Sequence, residues 1–556
     1  MDDDLAVDLE EIADLALRRL IGRLLNRIED QQAEIAALRE ENQRLRDENA
    51  RLKGVSPRPS FPARSASRPP TDHSSEQERH TPTPRQRRRR DHLVIHRRET
   101  LECDPATLPP DAQFKGYVEV TVQDVVLRAD NVVFRRAKWY SPTTHQTYSA
   151  PLPPGYHGQV GPGVRALVLA LAYGSHVSQP KIGAFLHDLG IDLSAGQVSN
   201  LLVQAQDVFH TEARAVGAAG LRSSPWQHLD DTATRVGRQP QHCHVIGNPL
   251  YTRYQTTPTK DRLAVLDVLR NGQARTFLLD AAAAVTLGNL PLAAATRRGL
   301  AHLPRDQILD EPMLAGLLAA HVPQVSQTDR KRVRETLVLA ADRAAPDERM
   351  VQTLVCDDAP QFVGVTDTVQ LCWVHEGRHY HKLDPCVPAH RRVLGRFRAR
   401  FWRYYRKLLA YRDDPSPAAV TRLRRGFDRL CATTTGYAAL DRRIAVTRSH
   451  KEALLQVLAH PELPLHHNAA ELGARRRVRK RKVSYGPQSA AGARAWDTFQ
   501  TLAATAAKLD VSFYHYLGDR LSGTPHLPAL ADLITERAAT LNLGGSWTPQ
   551  PPAPDY

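Results

Sequence analysis

The sequence predicts a multidomain α/β protein with a coiled coil near its N-terminus. Three features lead to this prediction: a heptad repeat, apolar strand-like segments that end in paired aspartates, and long amphipathic helical stretches between them. At 556 residues the chain exceeds the ~100–200 residues of an ordinary domain. Several domains are therefore expected.

The heptad repeat runs from residue 17 to residue 52. Isoleucine at a with leucine at d favours a parallel two-stranded coiled coil, and asparagine at a fixes its register. Packing of this helix on its own chain is the alternative, which five heptads make weaker. We therefore predict a coiled coil over residues 1–53 that forms a homo-oligomer. Its a positions are Ile21, Ile28, Ile35, Asn42 and Asn49, and its d positions are Leu17, Leu24, Gln31, Leu38, Leu45 and Leu52.

Two regions of different character follow the repeat. Residues 54–92 lack a hydrophobic period and are rich in proline, serine and arginine, so they are predicted to form a flexible basic linker. Within residues 93–163 the stretch YVEVTVQDVVLRADNVVFRRAKWYS, 117–141, alternates apolar and polar residues. Such alternation predicts strands, and a small β-rich region is expected here.

Residues 164–222 change to a helical pattern, with a turn around Gly190 and Ser194 as the cap of a further helix. A helix-turn-helix that directs Gln197, Ser199 and Asn200 toward DNA fits this pattern. A helical bundle without a role in DNA binding fits it equally well.

The charge distribution indicates a nucleic-acid partner. The net charge is +15, and the excess lies in runs such as RQRRRR (85–90), RRVLGRFRARFWRYYRK (391–407) and RRRVRKRK (475–482). The acidic N-terminus does not fit a secretory signal, and the longest apolar patch, 166–174, is far shorter than the ~20 residues of a membrane helix. A cytoplasmic, nucleoid-associated protein is expected.

The six cysteines form no CxxC pair and fit a reducing compartment. Cys372, His375, His379 and His381 have side chains suited to zinc. A single cluster without a second cysteine pair is a weak motif. Zinc is therefore not expected.

Acidic residues follow two predicted strands and open one predicted helix. PWQHLDDTATRV places Asp230 and Asp231 after the first strand, and MVQTLVCDDAPQF places Asp357 and Asp358 after the second. Each pair, taken singly, fits turn chemistry. Glu471, in HHNAAELGAR, either completes a capping box with Asn468 or binds a metal ion. Together the three carboxylates could bind two Mg²⁺ ions ~3.5–4 Å apart.

The same segments resemble a known family. HLDDTATRV, LVCDDAPQF, CWVHEGRHYHKL and HHNAAELGARRRVRKRK are similar, in order and spacing, to the DDE transposases of the insertion-sequence 66 family. The resemblance implies an α/β, ribonuclease H-like catalytic domain over 223–521, with helical insertions near 281–349 and 386–465 and a C-terminal tail over 522–556. It also implies Asp230, Asp357 and Glu471 as ligands of two Mg²⁺ or Mn²⁺ ions, although either aspartate of each pair could be the ligand.

The implied reaction is phosphodiester cleavage at element ends followed by strand transfer into target DNA, with helper proteins of the same element as further partners. Asn468 and His375 are expected to support the site. The family's Asn-Asn before the glutamate is here His467-Asn468, and Cys103 stands alone where the family has a zinc ribbon. The residues expected to hold the DNA backbone are Arg475, Arg476, Arg477, Arg479, Lys480, Arg481 and Lys482.

Two other functions compete with this interpretation. A catalytically retired transposase would act only as a DNA-binding or regulatory protein, although intact carboxylates at all three positions argue against it. A zipper-type transcription regulator would carry its basic region N-terminal to the zipper, whereas RQRRRR lies C-terminal to it.

Overall fold

The computed structural model describes residues 12–52, 94–104, 107–109, 111–156, 158–345 and 351–547. The predicted linker over 54–92 and the last residues of the predicted tail, 548–556, lie outside these ranges.

The heptad repeat forms one continuous helix, α1 (Leu15–Leu52). One face of its first half packs on its own chain: Asn26 Oδ1 accepts from the backbone N–H of Ala438 at 2.8 Å, and Glu29 Oε1 accepts from that of Val387 at 2.8 Å. The a and d positions lie on another face, where Leu24 and Leu38 are each 55% exposed. One face of α1 thus packs on its own chain, as the alternative predicted. The coiled coil on the other face stays a prediction.

The predicted strand over 117–141 is wrong for most of its length. Only its last residues form a strand, β1 (Lys138–Ser141), which pairs in antiparallel fashion with β2 (Gln146–Ser149). Among the described residues no strand pairs with 117–137, and Val118 is 90% exposed. Alternation alone does not form a strand, because the backbone N–H and C=O groups need a partner.

The next region is helical, as predicted. Gly190 lies in the predicted turn with φ +76°, and the Ser194 cap is confirmed because Ser194 Oγ accepts from the Gln197 N–H at 3.2 Å. The Gln197 side chain accepts in return from the Ser194 N–H, so its carbonyl is used within the helix start. The helices are α2 (Pro162–Leu169), continued by a π-helical turn (Ala170–Gly174), α3 (Gln179–Asp188), α4 (Ala195–Val203) and α5 (Asp207–Arg222).

A five-stranded mixed sheet forms the centre of the chain and confirms the α/β class. Its strands are β3 (Trp226–Val236), β4 (Gln239–Asn248), β5 (Tyr251–Thr257), β6 (Thr353–Cys356) and β7 (Thr368–Leu371). The spatial order is β5-β4-β3-β6-β7. The first three strands are joined by short turns and are antiparallel, whereas β3, β6 and β7 are parallel and need longer connections.

The segments predicted as helical insertions are helical where they are described. Helix α6 (Arg262–Leu269) follows β5, and the stretch before β6 contains α7 (Ala281–Asn289), α8 (Ala294–Leu300), α9 (Glu311–His321) and α10 (Gln327–Ala344). After β7 come α11 (Trp373–His381), α12 (Pro388–Asp413), α13 (Pro417–Cys431), α14 (Ala438–Ser449) and α15 (Lys451–Leu454).

Four α-helices and a short 3-10 helix (Gly545–Trp547) complete the described chain, the α-helices being α16 (Asn468–Ser484), α17 (Ala490–Lys508), α18 (Phe513–Leu521) and α19 (Leu530–Thr540). Helix α16 packs on β3 and β4, and α17 packs on β5. Separate hydrophobic cores form around α7 to α10, around α2, α5, α17 and α18, and around α12 to α15. None of the described helices is long and apolar enough to span a membrane.

Candidate active site

Asp230 and Asp357 lie level with each other on adjacent parallel strands. Strand β3 pairs with β6 so that Trp226 faces Thr353 and His228 faces Val355, an offset of 127 residues. Asp230 and Asp357 are separated by the same 127 residues, and Asp357 directly follows β6. Extending the register by two residues therefore places the carboxylate of Asp230, which lies within β3 and not after it as predicted, beside that of Asp357 at the carboxyl edge of β6.

Glu471 reaches this edge from the first turn of α16. The helix lies directly on the sheet at Gly473, where an added Cβ would come within 2.6 Å of Val245 Cγ1. The Tyr254 hydroxyl also donates to the Gly473 carbonyl at 3.1 Å. A larger residue at position 473 would push the helix, and Glu471 with it, away from the strands.

The pKa of Asp230 is raised where these carboxylates come together. Burial, together with the nearby charges of Asp357, Asp231 and Glu471, raises the pKa of Asp230 to about 7. Burial also raises the pKa of Asp357, with Asp358 and Asp231 acting in the same direction. Asp230 and Asp357 are therefore short of compensating positive charge, a condition that a divalent cation would relieve.

The two aspartates of each pair have different surroundings. Asp231 Oδ2 accepts from Gln361 Nε2 at 2.7 Å, and its Oδ1 lies 3.7 Å from Lys260 Nζ. Asp358 Oδ2 lies 3.3 Å from His379 Nε2. Within the described part of the chain, no side chain donates a hydrogen bond to Asp230 or Asp357. Their carboxylates are thus better placed to bind a cation than those of their neighbours.

Glu471 is held by two arginines. Arg378 Nη2, from α11, donates to both carboxylate oxygens at 3.1 and 3.2 Å, and Arg475 Nη2 donates to Oε1 at 3.1 Å. The predicted capping box is wrong: the N-cap of α16 is His467, Asn468 is the first helical residue, and no side chain caps the helix. The Glu471 carboxylate bonds to the arginines instead of turning back to the backbone.

His375 and Asn468 both lie beside Glu471. His375 is in the first turn of α11, and its Nε2 accepts from Arg378 Nη1 at 2.8 Å, so Arg378 bridges His375 and Glu471. Asn468 is partly buried at the start of α16, three residues before Glu471.

Two members of the predicted DNA-binding set lie inside the protein. Arg477 is 1% exposed and forms an ion pair with Asp497 at 2.9 Å, with Gln500 as a further partner at 2.7 Å. Lys480 is 3% exposed and donates to the Ala172 carbonyl at 2.7 Å. Both assignments to DNA are wrong, because neither side chain can reach a phosphate without leaving a buried partner unpaired.

The other five basic residues remain accessible to different extents. Arg475 and Arg481 are partly buried, and Arg481 donates to the Ala233 carbonyl. Arg476, Arg479 and Lys482 are exposed and recur every third residue along α16, so they occupy one side of the helix.

Arg378, His228 and His467 lie at or next to the site, and the sequence alone did not assign them to it. Arg378 follows His375 by three residues on α11, a spacing that was available as a signal. His228 is buried two residues before Asp230 on the same face of β3, and burial lowers its pKa, with His466 and His467 acting in the same direction. Of the residues suited to zinc, Cys372 and His375 lie together with His467, which comes from a distant part of the sequence.

Comparisons with known proteins identify the family. The family model described as Transposase IS66 family matches residues 347–495, which contain Asp357, α11 and Glu471. The chain is also similar to an uncharacterized protein, y4jO, of Sinorhizobium fredii: the two are 36% identical over 328 residues, which cover 58% of this chain and 99% of the relative. The chain therefore belongs to the IS66 family of transposases.

Proposed function

We propose that this protein is the transposase of an insertion sequence and that Asp230, Asp357 and Glu471 form its catalytic metal-binding site. The observation that carries the proposal is the shared edge of β3 and β6, where Asp230 and Asp357 stand level and Glu471 faces them from α16. The strand order β5-β4-β3-β6-β7, in which β3, β4 and β5 pair in antiparallel fashion and β6 and β7 run parallel to β3, also supports a ribonuclease H-like catalytic domain.

The donor set fits hard divalent cations. Carboxylate oxygens are the ligands that Mg²⁺ and Mn²⁺ prefer, and burial together with the neighbouring carboxylates raises the pKa of Asp230, which a bound cation would counteract. Two such ions, when bound, would activate water and stabilise the attacking and leaving oxygens of an in-line displacement. Arg378 and Arg475 neutralise Glu471 without metal and would have to release at least part of its carboxylate for ligation.

The exposed side of α16 is proposed to bind the DNA backbone close to the carboxylates. Arg476, Arg479 and Lys482 lie on that side, about one to three turns from Glu471. Their positive charge would hold the phosphates next to the metal-binding carboxylates and offset the repulsion between the two. The helix-turn-helix of α3 and α4 is a second surface proposed to contact DNA.

Homo-oligomers are proposed to form through the exposed a and d face of α1. Leu24, Leu38 and Leu45 are 55%, 55% and 57% exposed there, although the opposite face is docked through Asn26 and Glu29. An exposed apolar seam of this kind is typical of a coiled coil without its partner. Deleting residues 1–53 should lower the mass measured by light scattering, and an unchanged mass would contradict this oligomerisation. Helper proteins of the element are further proposed partners.

A cleavage assay with matched variants tests the catalytic proposal. Asp230→Asn, Asp357→Asn and Glu471→Gln remove one negative charge each with little change in shape, and each should abolish Mg²⁺- or Mn²⁺-dependent nicking of element-end DNA. Asp231→Asn and Asp358→Asn are the matched controls and should retain activity. DNA binding should survive in all five variants, because the phosphate contacts come from the basic residues.

The retired-transposase alternative predicts a different result. If wild-type protein with helper proteins shows no metal-dependent nicking or strand transfer on its own element ends, that alternative is correct. If instead an Asp231 or Asp358 variant is inactive while its neighbour is active, the three-carboxylate site holds but the ligand shifts by one residue.

A further inference from the structure

A second cluster of metal-ligand side chains lies beside the three carboxylates. The ligand atoms of Cys372, His375 and His467 all lie within 4.8 Å of one another. Cys372 is the N-cap of α11 and His467 the N-cap of α16, so two helix starts meet here. The Trp373 N–H donates to the Leu465 carbonyl at 2.9 Å and holds the two segments together.

Each of the two imidazole rings has one nitrogen without a hydrogen-bond partner in the described part of the chain. Nδ1 of His375 and Nδ1 of His467 are buried and have no hydrogen-bond partner among the described residues. The ring centroids lie 4.4 Å apart. Burial lowers the pKa of both, to about 4 for His375, so both rings are neutral near pH 7. A neutral imidazole is the form that binds a metal.

Backbone N–H groups around the Cys372 sulfur would also stabilise a metal-bound thiolate. Burial raises the pKa of its thiol to about 12, while the backbone N–H groups of His375 and His467 donate to the sulfur and act in the opposite direction. Without a cation the thiol keeps its proton. A bound cation would displace that proton, and the same N–H groups would stabilise the thiolate.

We propose that Cys372, His375 and His467 bind one zinc-like divalent cation at a site separate from the carboxylates. One thiolate and two imidazoles favour Zn²⁺ or Co²⁺ over Mg²⁺, which prefers oxygen ligands. Three protein ligands leave the fourth tetrahedral position to water. The sequence argued against zinc because it offered no second cysteine pair, but the fold supplies His467 as the third ligand instead.

Arg378 links the two sites. Its Nη1 donates to His375 Nε2, and its Nη2 donates to Glu471. If the cation takes Nε2 of His375, it displaces the arginine; if the cation takes Nδ1, the proton moves to Nε2, which then no longer accepts. Either way the bond between Arg378 and His375 breaks on metal binding, and Arg378 changes its position relative to Glu471.

Co²⁺ titration of the intact protein tests the proposal. Wild-type protein stripped of metal should bind one Co²⁺ per chain at this site, with a thiolate-to-cobalt charge-transfer absorption that Zn²⁺ abolishes by competition. Cys372→Ser should lose this absorption, and His467→Asn should weaken binding at least about tenfold because one of three protein ligands is gone.

Controls separate this site from other thiols and from the carboxylates. Cys386→Ser removes an exposed cysteine elsewhere and should keep the absorption. Asp230→Asn should also keep the absorption, so the cobalt result does not depend on the proposed catalytic site. The proposal is overturned if folded wild-type protein shows no thiolate-to-cobalt band, or if the band persists in Cys372→Ser.

Discussion

Neutralising Asp230 should stabilise the metal-free protein. The ordinary pKa of an aspartate is ~3.9, whereas in the folded protein that of Asp230 is about 7. Since each pKa unit corresponds to about 1.4 kcal/mol, the charged carboxylate costs the folded state up to about 4 kcal/mol at pH values above 7. Asp230→Asn removes this cost while its amide oxygen can still accept from the Asp231 N–H, which donates to Asp230 Oδ1 at 2.8 Å.

The sign of the pH dependence follows from the raised pKa. The folded protein binds the Asp230 proton more tightly than the unfolded chain does, so this group's contribution to stability is present below about pH 4 and is lost as the pH rises through about 7. The variant lacks this group. Its gain in unfolding free energy should therefore be near zero at pH 4 and reach its full size above pH 7.

Denaturant unfolding in EDTA at a series of pH values, followed by tryptophan fluorescence, measures this difference. Asp231→Asn is the control and should gain much less, because the Asp231 carboxylate has favourable contacts with Gln361 and Lys260 that offset its repulsion of Asp230. Mg²⁺ should restore part of the lost stability of the wild type. Its stabilising effect should be smaller in Asp230→Asn. A variant no more stable than the wild type above pH 7, or equally stabilised at pH 4 and pH 8, would refute the reasoning.

Three further predictions follow from the packing around α16 and α1. Gly473→Ala should destabilise the fold by about 1–3 kcal/mol in a thermal melt and reduce nicking, because its Cβ would collide with the sheet; unchanged stability and activity would contradict the close approach. Alanine at the exposed Arg476 and Arg479 should reduce the slope of log K for DNA against log salt by about 0.9 for each phosphate that the variant no longer binds. Arg477→Ala should instead cost about 3–5 kcal/mol of stability, because the partly buried Asp497 carboxylate loses its ion pair; the opposite pattern would mean that the buried and exposed roles are reversed. Glu29→Gln should weaken the docking of α1, seen as faster amide hydrogen exchange in its first half, and unchanged exchange would show that this side chain does not hold the helix.

Much of the architecture could be predicted from local patterns. The heptads predicted the extent of α1, and the Ser194 cap predicted the start of α4. Phe397, Phe401, Tyr404 and Leu408 recur at helical spacing, which predicts one apolar face, and all four are buried on α12. These features depend on neighbours within a few residues, so the sequence contains the information directly.

Features that depend on distant contacts could not be predicted in this way. The alternation over 117–137 is the same whether or not a partner strand exists, and in the structure the described residues provide none. The run RRRVRKRK does not reveal that Arg477 meets Asp497 from α17 or that Lys480 meets the Ala172 carbonyl. Local helix signals placed the start of α16 one residue too late, because they could not show that Arg378 holds the Glu471 carboxylate.

Counting bound Mn²⁺ ions tests the central claim, that Asp230, Asp357 and Glu471 together bind the catalytic cations. The free ion can be measured by electron paramagnetic resonance during a titration of the wild type and of Asp230→Asn, Asp357→Asn and Glu471→Gln, each bound to element-end DNA. The account predicts two ions per wild-type site, a loss of at least one in every triad variant, and an unchanged count in Asp231→Asn and Cys372→Ser. Equal counts in the wild type and the three triad variants would contradict it.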